Sequence, residues 1–351
     1  MNIHSNPLAG CQPPSTAWQK AHKQRFSPPL LTLITTLAVV LSTLATSCKQ
    51  TPVEAVRFHR FDKVLFDTPA DQLPQVLAQH RDEYNTELIN LQPDNPDFMN
   101  LLAGFVQDPT MRDIHRIVDS AFGDLRPEAE ELGAALTRAQ KLHPAIRYDK
   151  IYTFISGTFD YAMRVGCNSH ELIISLDQYI LPYTQRYNYF NSPLYLVQQS
   201  RRQYLVADCM EAIGREHTAI PPDREMSLLD YMVAEGKAIY FAQQTLPDTP
   251  DSILLRYTAQ QTDWMKRNEE NVWTYLLQSK ILYETDYMRF HNLIDDAPKT
   301  NAFRDSSPRT TDYIGWQIVQ RYMKNTNATM QQLLDETDAQ KILSQSNYRP
   351  K

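Results

Sequence analysis

The stretch 204–247, YLVADCMEAIGREHTAIPPDREMSLLDYMVAEGKAIYFAQQTLP, decides how the chain is read. It divides into two helices joined by a turn that holds Pro221 and Pro222. On a helical wheel Leu228, Met232, Ile239 and Ala242 fall on one narrow apolar stripe, and Glu235 falls in the middle of it. A carboxylate on a core-facing stripe is costly unless it is paired, protonated or bound to a metal. Glu235 therefore needs a partner. Two readings stand: a buried ion pair with a Lys or Arg, or a metal-site glutamate or the remnant of one.

Around this stretch the composition is that of a globular protein rich in helix formers. Of 351 residues only 9 are Gly, while 22 are Pro, and 42% are hydrophobic. The formal net charge of -6 argues against nucleic acid as a partner, because phosphate binding asks for a basic face.

The N-terminus reads as an address rather than as part of the fold. Lys20, Lys23 and Arg25 precede an apolar, Thr-containing run from Leu30 to Leu44, and Ala45-Thr46-Ser47-Cys48 follows. Small residues directly before a Cys at the end of such a run are what lipoprotein processing requires, and the Cys thiol receives the diacylglycerol. The run is too short and too rich in Thr for a good membrane span. Residues 1–47 are thus expected to be a signal peptide, Cys48 the lipidated first residue, 48–56 a tether, and 57–351 one mostly helical domain. No acidic run follows Cys48, which favours the periplasmic face of the outer membrane. Cys167 and Cys209 remain; the compartment permits a disulfide, but two lone cysteines do not predict one.

Taken in order, RFHRFDKVLF (57–66) reads as a strand, and Asp71 to Leu91 as one helix capped by Asp71. Helices follow over Phe98–Val106, from Asp108-Pro109 to Phe122, and from Pro127 to Leu142. Ile151–Ile155 and Leu172–Leu176 read as strands with a loop or hairpin between them. A broken helix runs from Pro193 to Ile213. Ser227 with Asp230, and Thr258 with Gln261, form capping boxes that open helices reaching to Pro247 and to about Ser279. Residues 284–309 read as irregular, and helices over 311–324 and 329–344 close the chain. The expected fold class is mainly α with a small β-sheet (α+β). A small sheet followed by a helix pair matches, in arrangement, the plan of zincin metallopeptidases.

The chemistry of that plan is missing. Zinc peptidases of this kind carry His-Glu-x-x-His on one helix, with two imidazoles on the metal and the Glu as base for its water. No such motif occurs. In the nearest register, Ala207-Asp208-Cys209-Met210-Glu211, Ala207 and Glu211 take the ligand places and Asp208 the base place. Ala cannot bind a metal, and Asp208 and Glu211 read equally as a solvated face or as local ion pairs. His217 follows the helix and is the one histidine placed to fold toward Glu211. His170-Glu171 lies beside a strand and lacks a second His at the right spacing. There is no phosphate-binding glycine loop and no G-x-S-x-G elbow. Tyr183, Tyr187, Tyr189, Phe190 and Tyr195 cluster, as a binding surface or as packing under a loop.

Several segments, in order and behind the lipidation motif, resemble the gliding-motility lipoprotein GldB family of Bacteroidetes. They are R57-F-H-R-F-D-K-V-L-F66, I151-Y-T-F-I-S-G157, L172-I-I-S-L-D-Q-Y179, D208-C-M-E-A-I213, E235-G-K-A-I-Y240, I314-G-W-Q-I-V319 and the tail ending S-N-Y-R-P-K. The resemblance implies a cell-envelope lipoprotein linked to motility and secretion apparatus, with envelope proteins as partners and no assigned catalysis. E-G-K-A-I-Y also looks like the third-ligand helix of a zinc-peptidase family. The expectation is a degenerate zincin-like fold with no cofactor, in which Asp208, Glu211, Glu235 and His217 mark a remnant cleft. Glu235 would pair with a Lys or Arg such as Arg201, Arg202 or Lys237. The alternative is a residual metal-dependent hydrolase built on the carboxylates.

Overall fold

The computed structural model describes residues 55–158, 164–180 and 193–351, which form one compact unit. Cys48, and Tyr183, Tyr187, Tyr189 and Phe190 of the aromatic cluster, lie outside the described residues. Mainly α structure surrounds a four-stranded sheet, as the sequence leads one to expect. Strands β1 (Phe58–Arg60), β2 (Lys150–Phe154), β3 (Val165–Cys167) and β4 (Glu171–Ser175) lie in the order β1-β2-β4-β3. The first three of that order are parallel, with Ile151 opposite Phe58 on one side and Leu172 on the other. Parallel strands are covered on both faces, which fits the burial of Ile151, Tyr152 and Thr153 in succession along β2. β3, which the sequence leaves in a loop or hairpin, pairs antiparallel to β4. Its turn is made by Asn168, whose Oδ1 accepts from the amides of His170 and Glu171 at 3.0 and 2.7 Å.

Two departures have local causes. The expected strand 57–66 is strand only to Arg60 and continues as helix α1 (Phe61–Asp67), because Phe61 and Leu65 bury together at helical spacing. The single helix expected from Asp71 to Leu91 is α2 (Leu73–Gln79) and a short α3 (Arg81–Tyr84), with Gln72 rather than Asp71 at the first cap. Beyond Tyr84 the side chains of Asn85 and Thr86 accept from the amides of Leu91 and Ile89, and these local bonds replace helical ones.

Helices α4 (Pro96–Gln107), α5 (Pro109–Phe122) and α6 (Arg126–Leu142) then lead into β2. Asn95 and Asp108 cap the first two, each with Pro at the start of the helix. After the sheet come α7 (Leu194–Gln199), α8 (Leu205–Glu216), α9 (Leu228–Thr245), α10 (Asp251–Leu254) and α11 (Ala259–Gln278). Both expected capping boxes are present, at Ser227/Asp230 and Thr258/Gln261. The region read as irregular contains α12 (Tyr287–Ile294), capped by Asp286 and buried through Phe290 and Leu293. The chain closes with α13 (Thr310–Thr326), α14 (Met330–Asp335) and α15 (Ala339–Ser346); Asp338 starts the last of these.

Helix α9 is the spine. It packs on α6, α8, α13 and α15, and Leu228, Met232, Ile239 and Ala242 are all buried. Two crossings bring neighbouring backbones into contact. A Cβ on Gly315 of α13 would overlap the carbonyl oxygen of Met232, and one on Gly236 would overlap the Gly315 backbone. On the other side, a Cβ on Gly214 of α8 would lie 2.9 Å from the Ala238 Cα. The glycines of E-G-K-A and I-G-W-Q are thus two halves of one helix crossing.

Backbone cannot yield as a flexible side chain can, so Gly315→Ala is expected to cost ~3 kcal/mol or more in denaturant unfolding. Gly104→Ala, at an exposed α4 position where a Cβ meets nothing within 4 Å, is expected instead to gain about 0.5–1 kcal/mol.

Candidate functional site

One face of α8 carries Asp208, Glu211 and Arg215, and the close approach at Gly214 and Ala238 sets Arg215 directly against Glu235 of α9. Arg215 Nε donates to Glu235 Oε2 at 2.8 Å, and its Nη2 reaches Glu235 Oε1 at 2.5 Å and Glu211 Oε2 at 3.0 Å. One guanidinium therefore joins the two helices through both glutamates. Glu235 thus has the basic partner expected of it, an arginine, though not one of the three residues named as examples. Arg201 bonds the Gln198 carbonyl, Arg202 pairs with Glu128, and Lys237 donates to the Glu336 carbonyl at 2.5 Å.

A second layer lies beneath this pair. Asp208 Oδ2 accepts from Arg164 Nη1 and from the Tyr179 hydroxyl, both at 2.9 Å. Arg256 bonds Asp208 Oδ1 with one nitrogen and lies 3.0 Å from Glu211 Oε2 with another. Arg309 lies 3.0 Å from Asp296 and 3.4 Å from Asp312, and donates to the Leu255 carbonyl at 3.0 Å. Arg164, Arg215, Arg256 and Arg309, with Asp208, Asp296, Val165 and Ala212, wall a cleft of about 210 Å³. Arg215 lines the cleft with 43% of its side chain accessible, and Glu235 lies behind it with 22% accessible, so the pair is partly in water.

The titration states follow from burial set against these cations. For Glu235, burial raises the pKa, but the charge and hydrogen bonds of Arg215 outweigh it and hold it down at about 2. Asp208 is likewise held below its usual value by Arg256 and Arg164 against the cost of burial. Glu211 goes the other way: burial raises it, and Arg256 and Arg215 do not cancel the effect. Burial also raises Asp312 well above the carboxylate range, opposed by Arg309. Arg256 and Arg309 adopt left-handed backbone at φ 53 and 42. For a non-glycine residue that conformation costs about 1–2 kcal/mol and is uncommon outside turns and functional sites.

Of the four residues expected at the cleft, Asp208, Glu211 and Glu235 come together through arginines. His217 stands apart: it ends α8 and faces Tyr148, 3.4 Å from its hydroxyl, and the His143 ring, 5.9 Å away. Ala207, the other register position, is buried. Among the described residues no group of three or more His, Cys, Asp or Glu is placed to hold a metal ion. Cys167 and Cys209 are free thiols, and the Cys167 thiol lies 3.2 Å from the Tyr148 hydroxyl. The sequence reading missed Arg164, Arg256, Asp296, Arg309 and Asp312. Arg215 alone carried a signal, four residues after Glu211 on the same helix face.

The family model described as gliding motility protein GldB matches residues 42–350, nearly the whole chain and all of the cleft. The chain belongs to the GldB family. The D-C-M-E-A-I and E-G-K-A-I-Y segments that carry the resemblance supply Asp208 to the cleft wall and Glu211 and Glu235 to the arginines behind it, so the GldB match and the charged network fall on the same helices. No curated protein and no solved structure matches the chain. Among the described residues no helix is long and apolar enough to cross a membrane.

A carboxylate with a depressed pKa stabilises the fold above its unfolded value and loses that contribution as pH falls. The Glu235 contribution should therefore be complete above pH 4.5 and disappear toward about pH 2. Because the paired guanidinium is partly in water, its size should be about 1–2 kcal/mol. In acid titrations of unfolding free energy, Glu235→Gln should start lower by that amount at pH 6 and converge on wild type near pH 2.

Proposed function

We propose that the chain is a non-catalytic cell-envelope lipoprotein that holds protein partners of a motility or secretion apparatus, anchored through lipid on Cys48. The observation that carries this reading is the Arg215 guanidinium between Glu211 and Glu235. In a zincin-like register Ala207, Glu211 and Glu235 would take the ligand places. Here Ala207 offers no donor, and the two glutamates spend their charge on a cation supplied by the protein. A general base needs a free carboxylate poised near the working pH. Glu235 is ionised and bonded through both oxygens, and Asp208 is bonded through both of its own. Membership in a gliding-motility family supports the envelope assignment, and the small residues before Cys48 support the anchor.

Two outcomes are expected in the native host. Cys48→Ser should move the chain from the membrane pellet to the soluble fraction, and retention in the pellet after a carbonate wash would refute lipid anchoring. Cross-linking of the full chain in intact membranes should yield discrete adducts with envelope proteins. These adducts should survive in Glu235→Gln, because a holding role does not use that carboxylate for chemistry. A chain that yields no adduct, or that hydrolyses peptide substrates in a manner abolished by Glu235→Gln, would contradict the reading.

A further inference from the structure

The arginine cleft is more than the internal cement of α8 and α9. Four guanidinium groups reach it from four separate places: Arg164 beside β3, Arg215 on α8, Arg256 after α10 and Arg309 before α13. Only two carboxylates, Asp208 and Asp296, share its wall with them. Glu211, Glu235 and Asp312 pair with these arginines but do not line the cleft, and burial draws Glu211 and Asp312 toward the neutral form. The charged lining side chains are thus four arginines and two aspartates, a cationic wall that the ionised Glu235 behind Arg215 offsets only in part, although the whole chain is acidic. The Arg256 side chain is only 10% accessible, and its buried Nε has no hydrogen-bond partner. A buried donor left without an acceptor is a defect in a purely structural network.

Arg256 is shared with a second lobe of about 230 Å³. That lobe is lined by Tyr195, Tyr204, Tyr257, Gln198, Gln261 and Arg201, among others, so its wall combines aromatic faces and neutral hydrogen-bonding groups with a second guanidinium at its edge.

We propose that the cleft binds a small organic oxyanion, its carboxylate or phosphate held by the arginine lobe and its neutral, hydroxyl-bearing body by the tyrosine and glutamine lobe. Guanidinium forks suit both oxyanions by shape and charge. This site is independent of the holding role: a protein-binding component and a hydrolase could each carry it.

The test titrates the purified full chain in detergent, at constant ionic strength with chloride as the reference salt. The probes are inorganic phosphate, glucose 6-phosphate, acetate and galacturonate, read by calorimetry and by thermal unfolding. One saturable site is expected for at least one oxyanion class, with the unfolding midpoint raised by about 3 °C at saturation. Phosphates over carboxylates, or the reverse, identifies the oxyanion. The sugar-bearing member of the preferred class should bind at least about tenfold tighter than its simple ion. Ala212→Glu places an acid on the cleft wall without removing a guanidinium, and should weaken binding at least about tenfold. The neutral Ala212→Gln, of nearly the same bulk, should retain it. No saturable response beyond chloride in wild type would overturn the proposal whatever the variants do. Unchanged binding in Ala212→Glu would place the ion elsewhere and overturn it too. Equal affinity for simple and sugar-bearing ions would remove the second lobe from the site.

Discussion

The contact on which the rest depends is the crossing of α9 and α13 at Gly236 and Gly315. There the two backbones touch, and no side chain larger than hydrogen fits. The crossing fixes the rotation of α9 about its axis. Gly236 is turned to α13, which leaves the preceding residue, Glu235, directed at α8. A second close approach, at Gly214 and Ala238, holds α8 at the height where Arg215 meets Glu235. The start of α13, positioned by the same crossing, delivers Arg309 to the other side of the cleft, with Asp312 paired behind it. Packing of small residues, rather than attraction between charges, thus decides which charged groups meet.

Attraction alone would be a weak organiser here. Removing charges from water costs several kcal/mol per ion, and pairing returns that cost only where geometry and additional hydrogen bonds are good. The network meets that condition unevenly. Asp208 is bonded by two arginines and a tyrosine, and Glu235 has a two-pronged contact with Arg215. Glu211 keeps one buried oxygen unpartnered, and Arg256 one nitrogen. Of these two, Arg256 lines the cleft and Glu211 lies behind it.

The parts of this structure legible from sequence are those set by local chemistry. Asp108 before Pro109, Ser227 with Asp230 and Thr258 with Gln261 each satisfy helix-end amides within a few residues, and each helix starts where these residues place it. The apolar stripe of α9 also reported its own burial and, through Glu235, the need for a counter-charge. Helix α12 escaped because one buried Phe and one buried Leu give too little periodicity to stand out, and β3 because three residues carry no pattern at all. That Glu235 needs a basic partner was legible, but which one was not: Arg215 lies on α8, brought close by Gly214, whose role shows only once the helices are packed. Arg164, Arg256 and Arg309 reach the cleft from three distant segments, two of them through backbone conformations that no pattern in the sequence announces.

Central to the account is that a guanidinium occupies the place between Glu211 and Glu235 that a metal would need. Elemental mass spectrometry of the purified full chain, prepared without chelator, tests this directly. The account predicts far less than one equivalent of any transition metal or calcium per chain, unchanged in Glu235→Gln. One equivalent of a single metal in wild type, lost in Glu235→Gln, would mean that Arg215 yields its place to an ion, and would contradict it.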